Sequence, residues 1–286
     1  MRSWNPCVQL YWIGVLPQKF TNMLKRIIAF TGLLLLVLAC SKVPITGRKQ
    51  LNLLSESEMV GMSAQAYSDF LNENNPLPDY NEDAQLVRKV GVRISSAVED
   101  FLNNNGYHKM TKNFNWKFNT VDNSMVNAWC MPGGKVVFYT GILPICQDEA
   151  GIAVVMGHEI AHAVAKHGNE RMSQAIGIQA AGLTLDVMTQ EQPQQTRELL
   201  LQSYGIGAGI GSLAFSRSHE TEADKMGLVF MAMAGYDPRE APEFWMRMSE
   251  VGGQKPPEFL STHPSDDRRI NDLNEYMDEA LKYYKP

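Results

Sequence analysis

The chain has 286 residues, 44% hydrophobic and 20% charged, with a formal charge of −5. That is ordinary globular composition, enough for one large domain or two small ones. Residues 1–39 hold Arg2, Lys19, Lys25 and Arg26 and no acid, so the remainder is more acidic than the whole. An acidic body without a basic cluster excludes nucleic acid as a partner, because binding phosphates requires grouped cations.

The first segment reads as targeting sequence. Lys25-Arg26 precedes the apolar run "IIAFTGLLLLVLA" and then Cys40, the order of a secretory signal and short for a membrane span. "VLAC" resembles the lipobox of bacterial lipoproteins, with Cys40 as the lipidated residue; a plain signal peptide or one anchor helix is the alternative. Residues 1–22 fit no signal, and Met23 sits where a start would be expected. Of the remaining cysteines, Cys130 and Cys146 can form a disulfide or stay as two buried thiols, and both readings stay open.

Residues 40–54 read as a lipidated cysteine and polar tether, and 55–286 as one domain. Ser55 and Glu58 form a capping box that opens a helix to about residue 71. A second amphipathic helix carries Val87, Val90, Ile94 and Val98 on one face. "NFNWKFNTV" alternates as a strand, and "NSMVNAWCMPGGKVVFYTG" has two strand-like halves around Pro132-Gly133-Gly134. After residue 147 the chain reads as helix, in segments 172–188, 196–215, 218–234, 238–250 and 264–284. Asp237-Pro238 reads as a helix start. A small sheet among many helices predicts an α+β fold. The glycine-rich apolar stretches in 172–188 and 196–215 are short for a bilayer, which favours core helices over a mobile cover.

The chemistry concentrates in "VVMGHEIAHAVAKHGNER", residues 154–171. On a helix His158 and His162 point the same way and can share one zinc, while Glu159 can reach a metal-bound water as general base. Two histidines and a glutamate inside an apolar run are costly without such a job. His167 lies about 140° around a continuous helix from His162 and is set aside as a packing or helix-end residue. A third ligand must come from elsewhere. "FSRSHETEADKMG" offers Glu220 and Asp224 on one helical face, one to bind metal and one to hold a ligand imidazole. Glu222 points nearly opposite Glu220, and a solvated acidic face remains the plain alternative.

HEIAH, ETEAD and "STHPSDDRRI" together resemble the zinc endopeptidase family of HtpX and the CAAX prenyl protease type 1. That family also includes a mitochondrial inner-membrane stress protease and the bacterial outer-membrane proteases LoiP and BepA. "TGRKQ", "NAWCMPGGKVVFYTGIL", "HGNERMSQ" and "GYDP" extend the resemblance over nearly the whole chain after Cys40. It implies a zincin-like domain with one Zn2+ on His158, His162 and Glu220, Glu159 as base and Asp224 behind a ligand histidine. It further implies His263 and Arg269 over the site, on the substrate carbonyl or oxyanion, with Arg268 a rival for the arginine's part. The segment around "NAWCMPGGKVVFYTG" would be an edge strand that takes substrate by backbone pairing.

Members with several long spans differ from this chain, which makes a compact lipid-anchored protease such as LoiP, or the protease domain of BepA, the nearest likeness. The expectation is a protein-quality-control endopeptidase, lipid-anchored and periplasm-facing, at the outer membrane of a bacterium. Its substrates would be unfolded or misassembled envelope proteins. The competing expectation is a chaperone or assembly factor with latent proteolysis.

Overall fold

In the computed structural model residues 40–251 and 268–285 are described. The signal segment 1–39, Met23 and His263 lie outside them. Ser41 onward forms one unit, and its fold is α+β.

Strands β1 (Cys40–Lys42) and β2 (Lys49–Leu51) pair as a two-stranded sheet. The stretch expected as a tether is therefore folded: Val43 is fully buried, and Gly47 takes a positive φ of 68° in the turn. Helix α1 (Glu56–Glu73) starts at Ser55 with both bonds of the capping box in place. Helix α2 (Glu82–Asn104) buries Val87, Val90, Ile94 and Val98 completely, as the 3.6-residue period predicts.

The second sheet has the order β3 (Lys117–Val121), β5 (Lys135–Tyr139), β4 (Ala128–Met131). β3 runs parallel to β5 and β4 antiparallel, with Cys130 opposite Val136. Every residue of β5 is buried because it is central and covered on both faces. Val136 and Phe138 enter the main core with α2, while Val137 and Tyr139 face the other way, onto Tyr67 of α1. β4 pairs with β5 on one side only, so it is an edge strand among the described residues. Cys130 and Cys146 are both free thiols, and burial raises the pKa of each.

The remaining long helices among the described residues are α3 (Glu149–Val164), α4 (His167–Met188), α5 (Gln194–Met233), α6 (Glu240–Glu250) and α7 (Arg269–Leu281). Two differences from the sequence reading matter. Segments 196–215 and 218–234 are one helix, since the polar residues around Arg217 carry neither glycine nor proline to stop it. The apolar stretches of α4 and of the first half of α5 are not core: Leu183 is 69% exposed and Ile210 64%. Helix α6 also begins later than the Asp237-Pro238 signal, at Glu240; the Asp237 side chain instead accepts from the Arg239 backbone.

Candidate metal centre

Helix α3 is the central element of the core, buried throughout from Gly151 to Val164. Asp148 caps it, its side chain accepting from the Ala150 and Gly151 amides at 2.8 and 3.0 Å. The second half of α5 crosses it at Gly157 and Gly227. A methyl group at Gly157 would lie 2.8 Å from the Gly227 carbonyl oxygen, and one at Gly227 would lie 2.9 Å from the His158 nitrogen. Only glycine at both positions permits this approach, and the approach carries Glu220 and Asp224 onto the histidines of α3.

The Nε2 atoms of His158 and His162 are 3.1 Å apart. Glu220 lies 3.3 Å from the first and 3.4 Å from the second. One ligand atom from each residue falls within 4.8 Å of the others, and all three residues are buried. Two imidazole nitrogens and a carboxylate oxygen form a donor set suited to a tetrahedral divalent ion with one position left for another ligand. The spacing-based choice between Glu220 and Asp224 resolves geometrically: Glu220 faces both rings, whereas Asp224 Oδ1 lies 2.9 Å from Nδ1 of His158, on the ring's far side.

Each ligand imidazole is gripped from behind. Behind His158, Asp224 also accepts from Arg269 Nη2 at 2.6 Å, and the Arg269 guanidinium lies 3.4 Å over the Trp245 ring. Arg269 is buried with its Nη1 3.9 Å from Glu220, while Arg268 is exposed, which separates the two arginines. The Arg269 guanidinium is engaged with Asp224 beside the ligand cluster. Burial works against a charged His158, but bonds to Asp224 and Glu220 prevail and raise its pKa to about 9.

Behind His162 stands His167, the residue that helical phase set aside. Helix α3 ends at Val164, Lys166 takes a left-handed φ of 57°, and α4 restarts at His167. The break turns the ring back, so its Nδ1 lies 2.8 Å from Nδ1 of His162 and its Nε2 2.9 Å from Glu222 Oε2. Burial holds the His167 pKa down at about 4, so the ring is neutral and has one N–H. An ionised carboxylate only accepts, which places that proton on Nε2. Nδ1 then accepts from His162, whose own proton sits on Nδ1 and whose Nε2 lone pair faces His158 and Glu220.

Glu222 is not on a solvated face either. It is buried, receives Arg48 Nε at 2.8 Å and the Thr46 hydroxyl at 2.5 Å, and so ties the β1–β2 turn to the site. Burial opposes its charge, but His167, Arg48 and Thr46 prevail and hold its pKa at about 2. Arg48 also grips Glu170 through both terminal nitrogens at 2.8 and 2.7 Å. Glu170 accepts from His219, and that ring stacks on His167 with centroids 4.0 Å apart. Helical phase turned Glu222 away from Glu220 without revealing these partners, and Arg48 and Glu170 stand in the sequence only within the resembling stretches "TGRKQ" and "HGNERMSQ".

Glu159 is buried and opens onto a cavity of about 370 Å³ with His162, Arg171 and residues 127–130 of the β4 region. The edge strand thus borders the same space as Glu159 and one ligand histidine.

Residues 91–277 match the model of peptidase family M48. The chain belongs to peptidase family M48. It is 34% identical over 248 residues to the mitochondrial metalloendopeptidase OMA1 of Schizosaccharomyces pombe, covering 83% of this chain and 66% of that one. The human mitochondrial metalloendopeptidase OMA1 is 31% identical over 84% of this chain and 46% of its own. The beta-barrel assembly-enhancing protease of Yersinia pestis is 30% identical over 54% of this chain and 33% of its own. The chain thus spans between a third and two thirds of the length of these relatives. Their names correct one expectation. A lipid-anchored, periplasm-facing place at a bacterial outer membrane does not hold, since the two relatives above that cover more than four fifths of the chain are mitochondrial enzymes.

Proposed function

We propose that the chain is a zinc-dependent endopeptidase acting on unfolded or misassembled proteins. The observation that carries this reading is the convergence of His158, His162 and Glu220 beside Glu159 and a strand at the sheet's edge among the described residues. Zinc held by those three residues would lower the pKa of a bound water and polarise a peptide carbonyl. Glu159, in the adjacent cavity, takes the proton of the attacking water and passes it to the leaving amine. Asp224 and His167 fix the two imidazoles so that each presents Nε2. Arg269 acts through Asp224 as a positioning residue. An extended peptide pairs with β4 through its backbone, which gives broad specificity for segments lacking their own structure.

The test is direct. The purified chain should bind about one zinc by the three-ligand argument and cleave unfolded casein until a chelator is added. Absence of both zinc and cleavage would sink the proposal. Glu159→Gln should keep the zinc and lose the cleavage.

A further inference from the structure

Helices α4 and α5 leave the domain as a two-helix hairpin whose surface is anomalous for water. From Met172 to Leu185 and from Leu199 to Ser216 neither helix carries a charged residue. The helices touch each other along one face: Tyr204 donates to the Ile178 carbonyl at 2.5 Å and fits against Gly182. Away from that face both are exposed, with Ile176, Leu183, Leu199, Ile206, Ile210 and Leu213 among the exposed side chains. Helix α2 shows the ordinary alternative, with Glu82, Asp83, Lys89, Arg93 and Asp100 on its exposed side. A helix apolar all round belongs in a core or in a membrane, and the apolar window of α5 has none of its residues buried.

We propose that this hairpin inserts into the hydrocarbon region of a lipid bilayer. Exposure on every side except the mutual contact selects lipid over a second copy, which would cover one face. The lengths agree: the charge-free run of α5 extends about 27 Å and that of α4 about 21 Å at helical rise, against about 30 Å of hydrocarbon. Charges bound the apolar zone at both ends. Arg171 and Arg217 stand at its base, and an Asp186–Arg197 ion pair closes it near the tip. Glu220 follows Ser216 by about one helical turn, which sets the ligand cluster at the bilayer edge. The consequence, that substrates are cut near a membrane surface, rests on the peptidase reading; insertion does not.

The full chain carries another apolar run at 27–39, so flotation with vesicles alone does not decide the matter. An environment-sensitive fluorescent amino acid at Ile210, and separately at Leu183, reports on the hairpin itself, with a control at Tyr80, which is 82% exposed. In phosphatidylcholine–cardiolipin vesicles containing mid-chain doxyl lipid, both hairpin probes should lose most of their emission and the Tyr80 probe should not. Vesicle-bound protein with unquenched hairpin probes overturns the proposal. So does shielding of those probes without lipid, which names a second copy if it rises with protein concentration and the chain's own apolar run if it does not. Hydrolysis plays no part in the readout, so an inactive peptidase with quenched probes separates this inference from the function proposed above.

Discussion

Replacing His167 by alanine perturbs the metal centre without touching a ligand. The Nδ1 atoms of His162 and His167 are 2.8 Å apart, and His167 reaches Glu222 at 2.9 Å on its other side. The substitution deprives the buried His162 N–H of this acceptor. Losing a buried hydrogen-bond partner costs about 1–3 kcal/mol, and about 1.4 kcal/mol is tenfold in an equilibrium. Loss of a partner behind a metal-bound histidine costs about 10- to 100-fold in affinity, the same range. The zinc Kd of His167→Ala should therefore rise about 10- to 100-fold, read by competition with a chromophoric chelator at pH 7.5. His167→Gln, whose amide oxygen can accept, should recover part of the loss. A folded His167→Ala chain with an unchanged zinc Kd would refute the reasoning, because it would show that His162 needs no orientation from behind.

Four further outcomes follow from the geometry. Glu220→Ala should lose stoichiometric zinc on dialysis, whereas Glu222→Gln should weaken it by about tenfold, since Glu222 acts through His167; equal losses would contradict the assignment. Glu159→Gln should lower kcat by about 10²- to 10⁴-fold with zinc content unchanged, checked by casein turnover and metal analysis. Gly227→Ala forces a methyl to 2.9 Å from the His158 nitrogen, so the melting temperature should fall as expected for about 1–3 kcal/mol of overpacking. The acid response has a defined sign. Glu222 at about 2 against 4.5, and His167 at about 4 against 6.5, are both depressed in the folded chain. Each adds stability that is complete above its ordinary value and disappears as pH falls toward the folded one. The melting temperature should therefore drop below pH 6.5 and drop further below 4.5, less steeply in Glu222→Gln; a flat profile from pH 7 to 4 would rule this out.

What the sequence made legible was whatever follows a regular period. The apolar run around HEIAH placed two histidines on one face, and the spacing of Glu220 and Asp224 placed both carboxylates on another. Periodicity failed where the helix stopped. His167 lies about 140° from His162 only on an unbroken helix, and the left-handed Lys166 breaks that helix. For Glu222 the phase was right: it does lie away from Glu220, and the side it faces is covered by His167 and Arg48, which helical phase alone does not reveal. Gly157 and Gly227 carried no signal because a glycine within a helix reads only as a cost, whereas their value lies in a crossing between distant segments. The apolar stretches of α4 and α5 show the converse ambiguity, since hydropathy records that a helix avoids water and not what covers it.

The two ligand histidines draw on different outer partners, one set reaching to the last helix and the other to the β1–β2 turn. His158 rests on Asp224, Arg269 and Trp245, drawn from the C-terminal helices. His162 rests on His167, Glu222 and Arg48, the last brought in by the β1–β2 turn. Both sets require contacts between residues far apart in sequence. In the unfolded chain HEIAH alone provides two ligands without orientation and without Glu220. Metal affinity and docking of the two ends are therefore thermodynamically linked: whatever loosens Arg48 or Arg269 weakens the metal, and the bound metal in turn stabilises both ends.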